Sequence, residues 1–213
     1  MIVGMWMSRQ LIVAPPDLSV TDAAQLMKDN RIRRLPVARS AEDLHLLGIV
    51  SVTDIYRSLP PGSNLFSDAT QAPESALRVR EIMTYDVLTT TPDTPIEDAA
   101  TVMRDKKIGA LPVVRDGLLV GLVTESDIFR AFISVLRADP GATRVTFSVA
   151  AGEDVFELLA KRKRARNIKV LSLMSSQRDN RIVCVVRLSG PDVQLTIDDL
   201  WESGHHVINV LHC

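Results

Sequence analysis

The sequence contains an internal repeat, which restricts its fold more than any other feature. When the chain is shifted by 76 residues, residues 7–37 align with residues 83–113, and 12 of the 31 aligned positions are identical. The shift becomes 73 after a loop that is three residues longer in the first copy, and Gly48–Ile55 then aligns with Gly121–Ile128. Two copies of one unit predict a pseudo-twofold pair with a cleft between its halves.

The pattern within each copy predicts the order β-α-β-β-α. In the second copy, Val87–Thr91 is rich in β-branched residues, and a Pro-Asp turn follows it. Thr94–Glu97 has the residue types of a capping box with proline at the first helical position. Asp116-Gly117 predicts a hairpin, and Ser126-Asp127 predicts the start of a second helix. The expected fold class is therefore α/β (α+β), with this order occurring twice.

These motifs resemble the CBS-domain pair, or Bateman module. The resemblance covers residues 1 to about 137 and depends on strings that recur in order, namely Ile82-Met83-Thr84, Asp98-Ala99-Ala100, Ile108–Val113 and Gly121–Asp127. It implies one CBS repeat at residues 1–59 and a second at residues 79–138. Residues 60–78 contain Pro, Gly and Ser and are expected to form an exposed linker.

The segment that closes each repeat is a candidate nucleotide site. An aspartate at a strand-to-helix junction can accept hydrogen bonds from both ribose hydroxyls, and nearby hydroxyls and free helix N–H groups can bind a phosphate. The resemblance implies these roles for Asp54 and Asp127 on the ribose and for Ser51, Thr53, Thr124 and Ser126 around the phosphate. The alternative is that Thr53-Asp54 and Ser126-Asp127 only cap helices, which is worth about 1 kcal/mol each.

The two copies differ just before their Leu-Pro-Val strings. The first copy has Arg33-Arg34 where the second has Gly109-Ala110. The resemblance implies that these positions face the cleft, where guanidinium groups suit phosphates. We therefore expect a cleft that combines Asp54 with both arginines to prefer ATP or AMP over adenosine, unless the arginines reach across to the other repeat. The alternative is that both are solvated charges at a strand edge.

The predicted function is that of a non-enzymatic regulatory sensor. The ligand is expected to be AMP, ADP, ATP or S-adenosylmethionine, with no further cofactor, and the adenine is expected between Val13, Ile49, Thr89 and Leu122. Ligand binding would shift the repeats and control a partner or the oligomer. The alternative is an assembly module that binds no nucleotide. We expect no enzyme, because the chain has no Walker A, GxSxG or HExxH motif and the two aspartates belong to separate sites.

Residues 143–213 predict the ferredoxin-like order β-α-β-β-α-β. The predicted elements are strands at 143–150, 168–175, 181–189 and 207–211 and helices at 154–164 and 191–202. This region resembles an ACT-type domain, and a CBS pair followed by such a domain resembles the acetoin-utilisation AcuB-type proteins. Ala151-Gly152-Glu153-Asp154 replaces the Pro-Gly turn of amino-acid-binding ACT domains. We therefore expect strand-edge pairing in a homodimer rather than amino-acid binding.

Charge and hydropathy argue against other partner classes. The net charge of -1 gives no general attraction to nucleic acid or acidic membranes. No run approaches the roughly 18 apolar residues of a membrane span, and Met1–Met7 lacks the basic region of a signal peptide. The basic run Lys161–Arg166 is interpreted as a complement to a helix C-terminus, with nucleic-acid contact as the alternative.

The cysteines and histidines near the C-terminus predict neither a disulfide framework nor a metal site. Cys184 and Cys213 have no CxxC spacing, which favours a reduced cytoplasm, and Cys184 is expected to be a buried apolar residue. His205 and His206 are adjacent on a predicted strand and point to opposite faces, so we do not expect them to bind one metal together with His212.

Overall fold

The computed structural model describes residues 1–58, 77–136, 140–150, 152–178 and 181–212. The chain divides into two compact units, Met1–Phe132 and Ile133–Cys213. The predicted linker at 60–78 lies outside the described residues except for Leu77 and Arg78. These two residues begin a segment, 77–84, that aligns with residues 1–8 of the first copy, and we call 1–8 and 77–84 the two lead-ins.

The first unit contains both repeats as mixed helices and strands. The first repeat has a short 3-10 helix (Val3–Met5), α1 (Val20–Asp29), β1 (Arg34–Ala38), β2 (Leu46–Ser51) and α2 (Val52–Ser58). The second has α3 (Val79–Ile82), α4 (Ile96–Lys106), β3 (Ala110–Arg115), β4 (Leu118–Thr124) and α5 (Glu125–Leu136), which runs past the end of the unit. β1 pairs with β2 and β3 with β4, both antiparallel. The predicted mixed fold class is confirmed.

The hairpin predicted at Asp116-Gly117 is confirmed. Both residues have a positive φ, 52° and 80°, as a two-residue turn between twisted strands requires.

The structure corrects the two elements predicted before β3. The predicted strand Val87–Thr91 is only a single bridge from Thr90 to Val113, because the backbone N–H and carbonyl of Thr91 both bind Thr94 instead of extending the ladder. The predicted capping box is also wrong, since Pro95 occupies the N-cap position.

A backbone group replaces the predicted side-chain cap of α4. The N–H of Ile96 donates to the carbonyl of Met1 at 3.1 Å. The equivalent N–H of Val20 donates to the carbonyl of Leu77 at 3.1 Å. Each helix of this pair therefore begins on the lead-in of the opposite repeat.

The lead-ins also extend the opposite hairpins. The N–H of Ser8 donates to the carbonyl of Leu122 at 2.9 Å, and the reverse bond is 3.0 Å long. Thr84 and Ile49 exchange the same two bonds, at 2.9 and 3.0 Å. The two repeats are thus interlocked through reciprocal backbone pairing.

Each hydrophobic core is completed by the lead-in of the other repeat. Val3 and Met7 pack in the core that α4, β3, β4 and α5 form. Val79 and Met83 pack in the core of the first repeat. Neither repeat has a complete core made only of its own residues.

Two glycines make room for the methionines of the lead-ins. A Cβ placed on Gly121 would lie 2.5 Å from Met7 Sδ, and one on Gly48 would lie 2.7 Å from Met83 Sδ. The repeated Met and Gly identities therefore form two matched contacts between the copies.

We expect Gly121→Ala to lower the free energy of unfolding by about 1–3 kcal/mol, because the added methyl group overpacks this contact. Chemical denaturation of Gly121→Ala, Met7→Ala and the double variant tests this expectation. Removing the Met7 side chain should cancel part of the cost of the new methyl group, so the two effects should not add. Additive effects would show that Met7 is not what Gly121 accommodates.

The second unit is a four-stranded antiparallel sheet with two helices. Its elements are β5 (Thr143–Ala150), α6 (Val155–Ala165), β6 (Lys169–Arg178), β7 (Arg181–Ser189), α7 (Val193–Glu202) and β8 (His206–His212). The strand order is β6-β7-β5-β8. This is the β-α-β-β-α-β order that the sequence predicted, with boundaries that differ by up to three residues.

Part of the basic run connects the two helices of this unit. Arg166 makes two hydrogen bonds to the carboxylate of Asp199, at 2.9 and 3.0 Å, and Arg162 donates to the Asp199 carbonyl at 3.2 Å. The hydrogen bonds from Arg166 hold the pKa of the Asp199 carboxyl below its usual value. These arginines therefore have an intramolecular role that neither sequence interpretation included.

Candidate functional site

Two clefts lie between the repeats, and each contains one strand-to-helix junction. The Asp127 cleft, of about 290 Å³, combines the β4–α5 junction with residues 31–34 of the first repeat. The Asp54 cleft, of about 410 Å³, combines the β2–α2 junction with residues 107–110 of the second repeat. Their sizes are near the lower end of the range for small-molecule sites.

Each junction is held by a reciprocal cap between residues i and i+3. Asp127 Oδ2 accepts hydrogen bonds from the N–H and the hydroxyl of Thr124, at 2.8 and 2.7 Å. Asp54 Oδ2 accepts the same two bonds from Ser51, at 2.9 and 2.6 Å. The capping pairs are therefore Ser51 with Asp54 and Thr124 with Asp127, which corrects the pairs Thr53-Asp54 and Ser126-Asp127 that the sequence suggested.

The cap leaves other groups at the junctions available. Thr53 and Ser126 line their clefts and are exposed. Asp54 Oδ1 has no hydrogen-bond partner among the described residues. A ribose hydroxyl in the Asp54 cleft would find this second carboxylate oxygen unoccupied, so one aspartate can cap the helix and still accept from a ligand.

The second aspartate is more constrained than the first. Asp127 is 3% exposed, and its Oδ1 forms an ion pair with Arg130. Asp54 is half-buried, and Arg57 lines the same cleft. Arg57 and Arg130 occupy equivalent positions of the repeat, so the two junctions are similar in backbone, cap and neighbouring arginine, but within the described ranges only Arg130 forms an ion pair with its aspartate.

The arginines reach across to the other repeat. Arg33 lines the Asp127 cleft, and Arg34 lines both clefts. The expected combination of Asp54 with both arginines is therefore wrong. The pseudo-twofold arrangement joins each junction to the residues before the first hairpin strand of the opposite copy, an alternative that the sequence left open.

The apolar walls of the clefts differ in part from the expectation. Ile49 and Leu122 line the Asp54 and Asp127 clefts respectively. Val13 and Thr89 are not among the described lining residues. Their places are taken by Leu11 and Ile12 in one cleft and by Val87 and Leu88 in the other. The repeat alignment contained a signal for this difference. Leu11 aligns with Val87 and Ile12 with Leu88, so these positions are apolar in both copies, whereas Val13 aligns with polar Thr89.

Further charged residues line the clefts that the sequence did not single out. Arg31 and Glu125 contribute to the Asp127 cleft, and Lys107 and Asp86 to the Asp54 cleft. Arg31 and Lys107 are equivalent positions, and both have a φ of 54° after the preceding helix. Each cleft therefore has a cation at the same place and also contains a carboxylate that does not belong to the junction.

The histidines that the sequence analysis considered as metal ligands make contacts within the second unit. His205 Nε2 lies 2.7 Å from Glu153 Oε1, and its Nδ1 lies 2.9 Å from Ser203 Oγ. His212 Nδ1 lies 3.1 Å from Thr143 Oγ1. In the described ranges, no group of three or more His, Cys, Asp or Glu residues is placed to hold a metal ion.

Cys184 is buried, as expected, and burial raises the pKa of its thiol. Cys213 lies outside the described residues. Among the helices of the described chain, none is long and apolar enough to cross a membrane.

A family model and several solved structures match the first unit. The CBS domain model matches residues 3–61 and 79–134. A putative acetoin utilization protein (AcuB) from Vibrio cholerae is 32% identical with a TM-score of 0.53, covering 64% of this chain and 93% of that one. The predicted resemblance to CBS pairs is confirmed and an AcuB-type protein is among the similar structures, whereas the ACT type of the second unit stays a prediction.

Two of the similar structures contain adenosine compounds. A CBS-domain pair in complex with 5-methylthioadenosine and S-adenosyl-L-methionine is 30% identical with a TM-score of 0.51, covering 62% of this chain and 99% of that one. CBSX2 in complex with AMP is 28% identical with a TM-score of 0.51, covering 64% and 98%.

The curated relatives are longer proteins. Homoserine O-acetyltransferase from Methanohalobium evestigatum is 40% identical over 114 residues, which are 53% of this chain and 20% of that enzyme. An uncharacterized protein from Methanocaldococcus jannaschii is 33% identical over 136 residues, 62% of this chain and 47% of that protein. The chain thus spans between a fifth and about half of the length of these relatives.

Proposed function

Because this chain belongs to the CBS-domain family, we propose that its two clefts bind adenine nucleotides or S-adenosylmethionine and that the bound ligand regulates a partner or the assembly of the protein. The observation that carries the proposal is the pair of equivalent clefts, each with an aspartate at a strand-to-helix junction. Two similar CBS-pair structures contain adenosine ligands.

The chemistry of each cleft suits a nucleoside phosphate. The free oxygen of Asp54 accepts from a ribose hydroxyl, while Thr53 and the cations of the cleft bind the phosphate. Ile49 and Leu122 give each cleft an apolar wall for the adenine ring. Each cleft therefore contains both the polar and the apolar groups that an adenosine phosphate can contact.

Regulation follows from the position of the clefts between the repeats. A ligand in either cleft contacts the junction of one repeat and the residues before the first hairpin strand of the other repeat. It therefore favours the relative orientation of the repeats in which both sets of contacts form. We assign no catalytic step to the chain, since its match to the acetyltransferase covers only 20% of that enzyme.

The proposal predicts that AMP, ADP, ATP or S-adenosylmethionine raises the melting temperature of the full chain. At a concentration one hundred times its Kd, a ligand adds about 2.7 kcal/mol of stability.

We expect Asp54→Asn and Asp127→Asn each to weaken calorimetrically measured binding in the respective cleft by about 10- to 150-fold, because an amide can keep the cap but loses the charged acceptor.

The control for this experiment is Asp22→Asn. Asp22 forms the same type of cap with Ser19 in α1, with contacts of 2.7 and 3.0 Å, but lines neither cleft. Its variant should lose comparable stability and retain full ligand affinity. Unchanged titration curves for Asp54→Asn and Asp127→Asn would reduce both aspartates to helix caps and contradict the proposal.

An exposed apolar surface supports the second candidate, an assembly module that binds no nucleotide. In α5, Ile128 and Ala131 are buried, whereas Phe129 is 68% and Phe132 40% exposed. An exposed pair of phenylalanines favours contact with a second copy in a homodimer. This function predicts no thermal shift with any of the four ligands.

A further inference from the structure

Arg34 lies in the wall that separates the two clefts. It is the first residue of β1, is half-buried, and lines both the Asp127 cleft and the Asp54 cleft. The equivalent position of the second repeat is Ala110, which has no charge. The pseudo-twofold pair therefore has a single guanidinium at this place instead of two.

Gly109 makes this position of Arg34 sterically feasible. A Cβ placed on Gly109 would lie 2.9 Å from Arg34 Cζ and 3.0 Å from Glu125 Oε2. The first repeat has Arg33 at the position of Gly109. The sequence difference between the copies thus has a steric consequence, because the missing side chain in one copy admits the arginine of the other.

The guanidinium of Arg34 is not committed to a carboxylate of the protein. Within the described ranges it forms neither an ion pair nor a hydrogen bond with another side chain. Other arginines of the unit do form ion pairs, for example Arg130 with Asp127 and Arg115 with Asp93. The Glu125 carboxylate lies beside the same point at Gly109 but forms no ion pair with Arg34 within the described ranges, so this half-buried guanidinium is available to a ligand in either cleft.

We propose that Arg34 is shared by the two clefts, so that an anionic nucleotide bound in one cleft weakens the binding of an anionic nucleotide in the other. This inference depends on the proposed function, since it requires adenine nucleotides in both clefts. A planar guanidinium that turns its paired N–H groups to one phosphate cannot present the same geometry to a second.

The effect is a reciprocal coupling between the sites. If the first AMP lowers the affinity of the second by a certain factor, the second lowers the affinity of the first by the same factor. We expect a factor of about ten, within the usual range for coupled sites. Adenosine lacks the phosphate and should bind the two clefts with no such coupling.

Isothermal titration of the full chain with AMP tests the proposal. The affinity of each cleft with the other one empty is measured in Asp54→Ala and Asp127→Ala. In the wild-type protein, the second AMP should bind about tenfold more weakly than these single-cleft affinities indicate. The same three titrations are then made with Arg34→Met added to each protein. Here the second AMP should bind less than about twofold more weakly than the single-cleft affinities indicate, because no shared cation remains.

The matched control is Arg33→Met, which removes the neighbouring arginine. Arg33 lines the Asp127 cleft but not the Asp54 cleft. Its loss should weaken AMP binding in the Asp127 cleft while the tenfold coupling persists. A coupling that is lost equally in both variants would assign the effect to the general charge of this segment and would overturn the specific role of Arg34.

The remaining outcomes separate this inference from the proposed function. If AMP, ADP, ATP and S-adenosylmethionine all fail to bind, the proposed function itself fails. Two outcomes leave the proposed function standing and exclude the shared arginine. In the first, AMP binds both clefts of the wild-type protein with no coupling or with positive coupling. In the second, the negative coupling of the wild-type protein is unchanged in Arg34→Met. A wild-type protein that binds one AMP, together with an Arg34→Met variant that binds two, supports the proposal in its strongest form. One AMP in both proteins overturns it.

Discussion

Replacing Val3 with aspartate should lower the free energy of unfolding by more than about 3 kcal/mol, because it leaves an uncompensated charge in a hydrophobic core. Val3 is 0% exposed and packs with Ile96 and Met103, which belong to the second repeat. Urea denaturation measures the loss. Hydrogen exchange should place it in α4 and the following elements of the second repeat, more than 90 residues from the substitution.

Met5→Asp is the matched control for this experiment. Met5 belongs to the same 3-10 helix but is 67% exposed. A charge at this position remains in water and should change stability by no more than about 0.5 kcal/mol. Equal stability of the two variants would contradict the assignment of Val3 to the core of the second repeat.

The second large effect is expected in the other unit. Phe147 is 0% exposed, packs in the core of the sheet and forms an edge-to-face contact with His205, with ring centroids 6.4 Å apart. Phe147→Ala should therefore cost about 3–5 kcal/mol. Loss of amide protection in β5, β7 and β8, measured by hydrogen exchange, would locate the effect in this unit.

Phe156 provides the comparison for Phe147. It lies in α6 of the same unit and is 75% exposed, so Phe156→Ala removes an identical side chain that is not in the core. We expect a change within about 0.5 kcal/mol. If both alanine variants lost the same stability, the core position of Phe147 would be refuted.

The internal repeat made the fold of the first unit predictable. The repeat and its local patterns located the longer helices and the hairpin strands of the unit but wrongly predicted a strand at Val87–Thr91, and the hairpin at Asp116-Gly117 followed from local turn chemistry. The strand pattern of the second unit was equally local, since alternation over eight or nine residues defines β5 and β7. These features depend on neighbours in sequence.

The features that sequence reasoning missed depend on distant neighbours. The helix cap of α4 is the carbonyl of Met1, and no local pattern near Thr94 reveals that partner. The arginines reach the opposite cleft for the same reason, because the exchange between repeats is a property of the assembled pair. The candidate junctions around Asp54 and Asp127 were singled out from a local segment that recurs in both copies, although the capping partners within it were assigned wrongly.

The interlocked cores have a consequence for how the chain folds during synthesis. Residues 20–58 of the first repeat leave the ribosome before Val79 and Met83, which complete their core. The second core combines Val3 with Ile128, so it closes across almost the whole unit. Contacts of such long sequence separation slow folding, because the entropy of loop closure is lost before the contacts form. A nascent chain that ends before residue 79 exposes unfinished apolar surface, and neither repeat reaches its final structure before the other.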